Sequence, residues 1–333
     1  MSVTIIDVAK SAQVSKSTAG RVMAGETYGV SDEARDKVLK AAQRLGYVKN
    51  SVAKSLRTDQ TYTTLLIIPD ITNGFWAEVA RGCQDVFDAH GYSLLLANSD
   101  WQRNRELKYL EMAKANRVAA VLVNAPGLDS SLLKTLSCPV VILGDRLGAM
   151  PFPVVGTDTY HAVQLALSYL FERGHERIAM VHPKDVDGEG ASMIRYQAYK
   201  DFMETHNLTF ADSWVTARPL TMATGCDLAE AFKVMEQRPT ALLTGNDLVG
   251  IGFLRRCEEI GIKVPDDISL VGMDDIPSAA LVSPSLTTVR KPQREIGEQA
   301  VQIVMDMIAG REVAPRTLLS AEIVERETVR VQR

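Results

Sequence analysis

Two groups of side chains in this sequence have residue types and spacing suited to molecular recognition. Near the N-terminus, Lys16, Ser17 and Arg21 project together from the first half of a short predicted helix. Arg and Lys pair with the O6 and N7 acceptors of guanine, and a hydroxyl serves a base or a phosphate. Farther along, polar and aromatic residues stand just behind successive apolar runs. These are Asn73, Phe75 and Trp76, then Asn98 and Trp101, then Asp145 and Arg146, and later Glu189 and Arg195, Asn246 and Asp247, Asp274 and Asp275. Carboxylates, amides and guanidinium groups beside aromatic walls suit a polyhydroxylated ligand, whose hydroxyls need polar partners and whose C–H faces stack on rings. Several of these residues also have a plainer reading. Asp247 would cap the helix that follows, Asp275 could do the same, and Arg146 would pair with a surface acid.

Catalytic signatures are missing. There is no P-loop, no GxGxxG behind a strand, no GxSxG and no HExxH. The five histidines are scattered, and His175 in RGHERI reads as a packed residue. Cys83, Cys138, Cys226 and Cys257 lie far apart with no CxxC pair, which suggests neither a metal knuckle nor a disulfide framework. No catalytic residue, metal or cofactor is expected.

The elements that position the first group are short helices. Thr4 and Asp7 have the spacing of a capping box, with Asp in place of Glu or Gln. Ile5, Val8, Ala9 and Ala12 then mark one helical face. Ser15 opens a second helix after about three residues, which makes a helix-turn-helix whose second helix enters the major groove. Ser31, with Asp32 and Glu33 in the first turn, opens a third, and Gly46 ends it. A three-helix bundle without a partner is the alternative.

From Thr64 onward the texture changes. TLLIIP, YSLLLAN, VAAVLVN and CPVVILG are apolar runs of strand length, separated by helical stretches such as Phe75–His90 and Arg103–Asn116. RIAMVH, TALLTG and DISLVGM form a second series, with helices around Met193–Asn207, Gly225–Gln237 and Leu248–Gly261. Such alternation indicates parallel sheets covered on both faces, here two Rossmann-like subdomains. A ligand of such a pair binds outside the carboxyl ends of the strands, which is where the second group falls.

The runs TIIDVAKSAQVSKSTAGRVMAG and VSDEARDKVLKAAQRLGYVKNSVAKSLR resemble the DNA-binding head of the LacI/GalR family of bacterial transcription regulators. The resemblance implies base contacts from Lys16, Ser17 and Arg21 and phosphate contacts from Thr4, Ser15, Thr18, Tyr47 and Asn50. It also implies a hinge helix over Asn50–Arg57, containing Ala53 and Arg57, with Leu56 wedged into the minor groove. That segment is too short to be a stable helix alone in water, and the alternative is a flexible linker. Two departures stand out. The family usually has Val-Ser where this chain has Ala19-Gly20, and Asn where it has Ala24, so operator affinity or preference should differ from the family norm.

The body resembles periplasmic sugar-binding proteins. By the same resemblance the effector contacts are Asp145, Arg195, Asn246 and Asp274, faced by Asn73, Phe75 and Trp76. Glu189 lies where a purine-binding relative would place a base, which argues against a strongly anionic effector. The segment LTTVRKPQREIGEQAVQIVMDMIAG matches a crossover back to the first subdomain, and a last strand near Ile323–Thr328 returns to the second. The expected class is α/β: an N-terminal helix-turn-helix head, 1–48, a hinge and linker, 49–61, and a periplasmic-binding-protein-like body. In that body 62–161 with 290–320 form one subdomain, and 162–289 with 321–333 the other.

Composition fits this division. The 333 residues are 46% hydrophobic and 23% charged, an ordinary globular balance. The first 60 residues hold ten Lys/Arg against six Asp/Glu, and the remainder 27 against 35. A basic head on an acidic body suits a polyanion-binding module attached to a solvated domain. Apolar runs such as Val118–Val123 are far short of the roughly 20 residues that span a bilayer, and MSVTIIDVAK is not a secretory signal. A cytoplasmic homodimer is expected, since no leucine-heptad tail follows the last strand. It would bind pseudo-palindromic operator DNA and a small sugar-like effector, most simply as a repressor. The rivals are a solute-binding protein, which would lack the basic head, and an enzyme-regulator, which would need catalytic groups in the cleft.

Overall fold

The computed structural model describes residues 3–26, 28–47, 61–146, 150–183, 191–208 and 211–332, in two compact units divided after Thr61. Among the described residues the first holds three helices, α1 (Ile5–Ala12), α2 (Lys16–Ala24) and α3 (Asp32–Leu45). The Asp7 carboxylate accepts both the backbone N–H and the hydroxyl of Thr4, at 2.9 and 2.7 Å, closing the start of α1. Ser15 Oγ accepts the Thr18 N–H at 3.0 Å to cap α2, and Ser31 Oγ accepts that of Ala34 to cap α3. Val8, Ala9, Ala12, Ala19, Val22, Val38, Ala41 and Ala42 form the core of the unit, with Tyr47 packed against it.

The second unit carries two six-stranded sheets. In chain order the first half supplies β1 (Thr63–Ile68), α4 (Gly74–Ala89), β2 (Ser93–Asn98), α5 (Arg103–Ala115), β3 (Val121–Val123), α6 (Ser130–Leu133), β4 (Val140–Leu143) and β5 (Val154–Thr157). Next come α7 (Thr159–Phe171), β6 (Ile178–Pro183), α8 (Ala191–Thr205), β7 (Val215–Arg218), α9 (Met222–Val234), β8 (Ala241–Leu243), α10 (Asp247–Ile260), β9 (Ser269–Asp274) and β10 (Thr288–Arg290). The chain closes with α11 (Gln293–Ile308), β11 (Arg316–Leu319) and β12 (Glu322–Val324). The sheet orders are β11-β5-β4-β3-β1-β2 and β12-β10-β9-β8-β6-β7, parallel throughout except for the antiparallel β10–β12 pair.

The strands read as unbroken apolar runs because both faces of each sheet are covered. In β1, Leu66 and Ile68 pack beneath α4 and α11, while Leu65 and Ile67 pack beneath α5. The second sheet repeats this with Met180 on one face and Ala179 on the other. Four strands were absent from the sequence reading: β5, β7, β10 and β11. The terminal strand was expected near Ile323–Thr328 and lies at Glu322–Val324 instead.

The main chain passes between the sheets three times, from β5 into α7, from β10 into α11, and from β11 into β12. Helix α11 thereby lies on α4, its Ile296, Ala300, Val301 and Val304 sharing a core with Leu66 and Phe87. Helices α9 and α10 cross closely. A Cβ on Gly225 would lie 2.1 Å from the Val249 carbonyl oxygen, and one on Gly252 would lie 2.0 Å from that of Met222.

Candidate functional site

In the first unit, Ser15, Lys16, Ser17 and Arg21 are exposed at the start and along one side of α2, while Ala19 and Val22 turn into the core. Thr18 is half-buried and its hydroxyl bonds that of Ser15 at 2.8 Å. Thr4 is exposed at the start of α1. The face combines two cations with hydroxyls and N–H groups of a helix N-terminus, a combination that receives anions. Gly20 stands midway, and no atom lies within 4 Å of the Cβ it lacks. Asn50, Ala53, Leu56 and Arg57 lie outside the described residues.

In the second unit a cavity of about 510 Å³ opens at the carboxyl ends of the parallel strands of both sheets. It gathers Asn73, Phe75, Trp76, Asp145, Arg195, Asn246 and Asp274, all seven expected effector contacts, together with Trp101 of the wider candidate group, and adds Asn124 and Lys291. Arg146 also lines it, whereas Asn98 spends its side chain on the Ile71 N–H and on Asp100. Glu189 lies outside the described residues.

One wall comes from the first half of the unit. Asn73 caps α4 through Oδ1, which accepts the Phe75 N–H at 3.0 Å. Phe75 and Trp76 meet edge to face with centroids 4.9 Å apart, and Phe75 packs against the cores of both sheets. Asp145 accepts the Thr159 N–H at 3.0 Å and forms an ion pair with Arg316.

The opposite wall is built on α8, α10 and β9. Arg195 Nη1 donates to the Gly245 carbonyl at 2.8 Å. Asn246 caps α10, accepting from Val249 N at 3.0 Å and donating to the Leu220 carbonyl at 3.0 Å. The cap is therefore Asn246, not Asp247. Asp247 turns inward, fully buried, and accepts from Thr288 Oγ1 at 2.5 Å and from the Ile276 N–H at 2.8 Å. Burial, with Asp274 adding repulsion, pushes its carboxyl up to about 7.

Asp274 joins the walls. Its Oδ2 faces Asn73 Nδ2 at 3.5 Å, its Oδ1 accepts from Lys291 Nζ at 2.8 Å, and Gln293 Nε2 donates to its carbonyl. It adopts φ 125°, followed by Asp275 at φ 60°. Non-glycine residues adopt such backbone only where the surroundings impose it. Asp275 turns away to Arg290 and Arg326, at 2.7 and 2.6 Å, so it neither lines the cavity nor caps a helix.

Lys291 was missed by sequence reasoning. It is buried, its Nζ lies 5.4 Å from the centre of the Phe75 ring, and burial lowers its pKa while Asp274 opposes that shift. Its signal in the sequence was its position just past a strand, but that strand, β10, has three residues. His175 is packed, as read: both ring nitrogens are bonded, to Thr240 Oγ1 and the Arg330 carbonyl at 3.0 Å each, and burial lowers its pKa.

A helix-turn-helix in one unit and an inter-sheet cleft in the other coincide with two known sequence families. Residues 4–50 match the lacI family of bacterial regulatory proteins, and 167–329 match a periplasmic binding protein-like domain. The HTH-type transcriptional repressor PurR of Vibrio cholerae is 32% identical over 98% of both chains. The chain belongs to the lacI family of bacterial regulatory proteins.

As a lacI-family protein it is a DNA-binding transcription regulator and not an enzyme. Catabolite control protein A of Priestia megaterium is 31% identical over 91% of this chain and 92% of its own length. Among solved structures, a complex of the transcriptional regulator CelR with cellobiose superposes with a TM-score of 0.70 at 26% identity, covering 98% of this chain and all of the other. A lac repressor dimer bound to operator and an anti-inducer shares the fold, with a TM-score of 0.84 at 22% identity over 98% and 99% of the two chains. Among the described residues of this lacI-family chain no helix is long and apolar enough to cross a membrane, and no three His, Cys, Asp or Glu side chains form a metal-binding group.

Proposed function

We propose that this regulator is a cytoplasmic repressor whose affinity for a pseudo-palindromic operator is set by a sugar or sugar derivative bound in the inter-sheet cavity. The observation that carries the reading is the placement of seven residues around one cavity, with Phe75 and Trp76 beside Asn73 and Asp145 on one wall and Arg195, Asn246 and Asp274 on the other. A polyhydroxylated ring matches that division. The relative seen with cellobiose supports the ligand class, and the relatives named repressors support the sign.

In this reading Lys16, Ser17 and Arg21 meet base edges, and Thr4, Ser15, Thr18 and Tyr47 hold phosphates. Asn50, Ala53, Leu56 and Arg57 complete the DNA interface. Two copies assemble about a two-fold axis, which sets two recognition helices on successive major grooves. Exposed apolar residues support a pairing surface: Leu95 and Leu96 on the edge strand β2, and Leu281, which is 83% exposed. The proposed subdomains, 62–161 with 290–320 and 162–289 with 321–333, divide near the three crossings, with Thr159–His161 already in α7 and Arg290 still in β10 of the second sheet, and a ligand that closes the cavity acts on those crossings. Binding then couples to operator affinity reciprocally, by about 1–3 kcal/mol.

The test is a thermal-shift screen of the full chain against sugars and their derivatives, followed by operator titration with and without each ligand that binds. A ligand of the folded state raises its stability by about 2.7 kcal/mol at a hundredfold excess over Kd. A stabilising sugar that leaves operator affinity unchanged would sink the allosteric reading.

A further inference from the structure

The helices that follow β1 and β2 leave the first sheet on opposite faces, and the cavity reaches both. Helix α4, with Trp76, shares a core with Leu66 and Ile68, whereas α5 shares one with Leu65, Ile67 and Leu128. Phe75 and Trp76 line the cavity at the start of α4. Trp101 lines it just ahead of α5, and Leu128 lines it from the loop after β3.

Trp101 is 52% exposed, against 8% for Trp76, yet its backbone is fixed. Asp100 and Trp101 adopt φ 50° and 58° in succession, a conformation that non-glycine residues keep only where the surroundings impose it. The Asp100 carboxylate accepts from Asn98 Nδ2 at 2.6 Å and pairs with Arg105. Asn98 Oδ1 accepts the Ile71 N–H at 2.9 Å, and Tyr109 donates to the Asn98 carbonyl at 2.9 Å.

The loop after β3 is drawn to the same rim. Arg103 Nη1 donates to the Gly127 carbonyl at 2.8 Å, and a Cβ on Gly127 would collide with Glu106 Oε2. Two acceptors of this loop stand in the cavity wall. Asn124 spends Nδ2 on the Leu143 carbonyl at 2.7 Å, and Asp129 spends Oδ1 on the Ser131 and Leu132 N–H groups at 2.9 and 3.0 Å. Among the described residues Asn124 Oδ1 and Asp129 Oδ2 accept no hydrogen bond.

We propose that the effector is a disaccharide or longer oligosaccharide whose second ring lies on Trp101, with its hydroxyls on Asn124 and Asp129. This rests on the reading of the cavity as a sugar site and names the class of sugar it takes. A pyranose offers an apolar C–H face to an indole and hydroxyl donors to amide and carboxylate oxygens. Phe75 and Trp76 with Asn73 supply one such combination. Trp101 with Asn124 and Asp129 supplies another across the strand ends, so the cavity holds two ring platforms. The fixed turn at Asp100 and Trp101 leaves little of the second platform to be ordered by the ligand, which favours binding.

The experiment measures Kd on the full chain by calorimetry for matched sugars. Cellobiose is compared with methyl β-glucoside, lactose with methyl β-galactoside, and maltose with methyl α-glucoside. A further arm uses 4-nitrophenyl β-glucoside, whose second ring is aromatic. At least one disaccharide should bind about tenfold more tightly than its methyl glycoside, from one stacking contact and charge-assisted hydrogen bonds. Trp101→Ala should bring that ratio toward one, and Trp101→Phe should keep most of it. A second readout needs no variant. Trp214 is 6% exposed, so acrylamide quenching of the three tryptophans reads mainly Trp101. The disaccharide should shield that emission and the methyl glycoside should not.

Methyl glycosides that bind as tightly as every disaccharide overturn the inference and leave the sugar site standing. So does a ratio unchanged in Trp101→Ala, or equal shielding by both members of a pair. Tighter binding of the nitrophenyl glycoside than of any disaccharide overturns the sugar identity of the second ring. A change of assembly state in Trp101→Ala, read by sedimentation, assigns the indole to contact between copies and overturns the inference as well. No binding by any sugar overturns the polyol reading of the cavity, and the inference with it.

Discussion

Asp145 accepts the Thr159 N–H at 3.0 Å, so a carboxylate on one cavity wall holds the first turn of the helix that begins just past the first crossing between the sheets. The second wall has the same construction. Asp274 is bonded by Lys291 and Gln293, which flank the second crossing. Arg316, which pairs with Asp145, lies on β11, just ahead of the third. The groups proposed to meet a ligand are thus the groups that hold the connecting segments. A ligand hydroxyl that draws on either carboxylate competes with those bonds, which gives ligand binding a direct route to the angle between the sheets.

Asp145 should show its two partners separately. Asp145→Asn keeps an acceptor for Thr159 and loses the ion pair to Arg316. That guanidinium is half-exposed, so the loss of stability should be under about 1 kcal/mol. Asp145→Ala strands a buried N–H and should cost about 1–3 kcal/mol. Urea denaturation of both variants separates the two, and equal losses would mean that the Thr159 bond contributes nothing.

Asp247 predicts a pH signature. Its carboxyl is raised from 3.8 to about 7 in the folded chain. Between these values the folded protein holds a proton that the unfolded chain has released, so this group's stabilisation falls as pH rises through the window. It is fully present below about pH 4 and has been lost above about pH 7. Asp247→Asn can still accept from Ile276 and donate to Thr288, without a charge. Relative to wild type, the variant should therefore gain stability on going from about pH 4.5 to 7.5. A difference between the two proteins that stays constant with pH would show that Asp247 does not titrate there.

One substitution should have opposite effects at two glycines. Gly20 sits inside α2 with open space where its Cβ would go, and Gly20→Ala should stabilise the first unit by up to about 1 kcal/mol. At Gly225 the added methyl meets the Val249 carbonyl 2.1 Å away across the α9–α10 crossing. Gly225→Ala should destabilise by about 1–3 kcal/mol or more. Melting temperatures of the two variants test this, and a stabilised Gly225→Ala would mean that the helices separate freely.

Arg21→Ala should weaken operator binding by about 1–3 kcal/mol and relax base preference at its site. Titrations against the operator and a scrambled duplex measure it. A loss of the same size on both duplexes would place Arg21 on phosphate instead.

The sequence alone was sufficient for the recurring elements. The TTLLII run of β1 is legible because α4 and α5 cover both its faces, so every residue but the first is buried. The capped helices of the first unit are legible because their signals lie within four residues of each other, and a single chain cannot hide a local pattern. The rule that ligands meet the carboxyl ends of parallel strands picked out Asn73, Asp145, Arg195, Asn246 and Asp274, but also Asn98, Asp247 and Asp275, whose side chains are engaged elsewhere, and the family resemblance narrowed the set.

Only the tertiary structure decided the rest. The TVR strand β10 is three residues long and exists because β9 and β12 offer it partners. With β10 unrecognised, Lys291 fell within the expected crossover segment with no strand end to mark it, and a lysine there is ordinarily solvated. Asn246 and Asp247 are adjacent and both suited to capping, so their sequence does not choose between them. The choice is made beneath β9, where Asp247 Oδ1 occupies the space a side chain at Gly272 would need, 2.2 Å from its absent Cβ. Pairing, burial and close approach between distant segments are properties of the assembled sheets, and no local pattern encodes them.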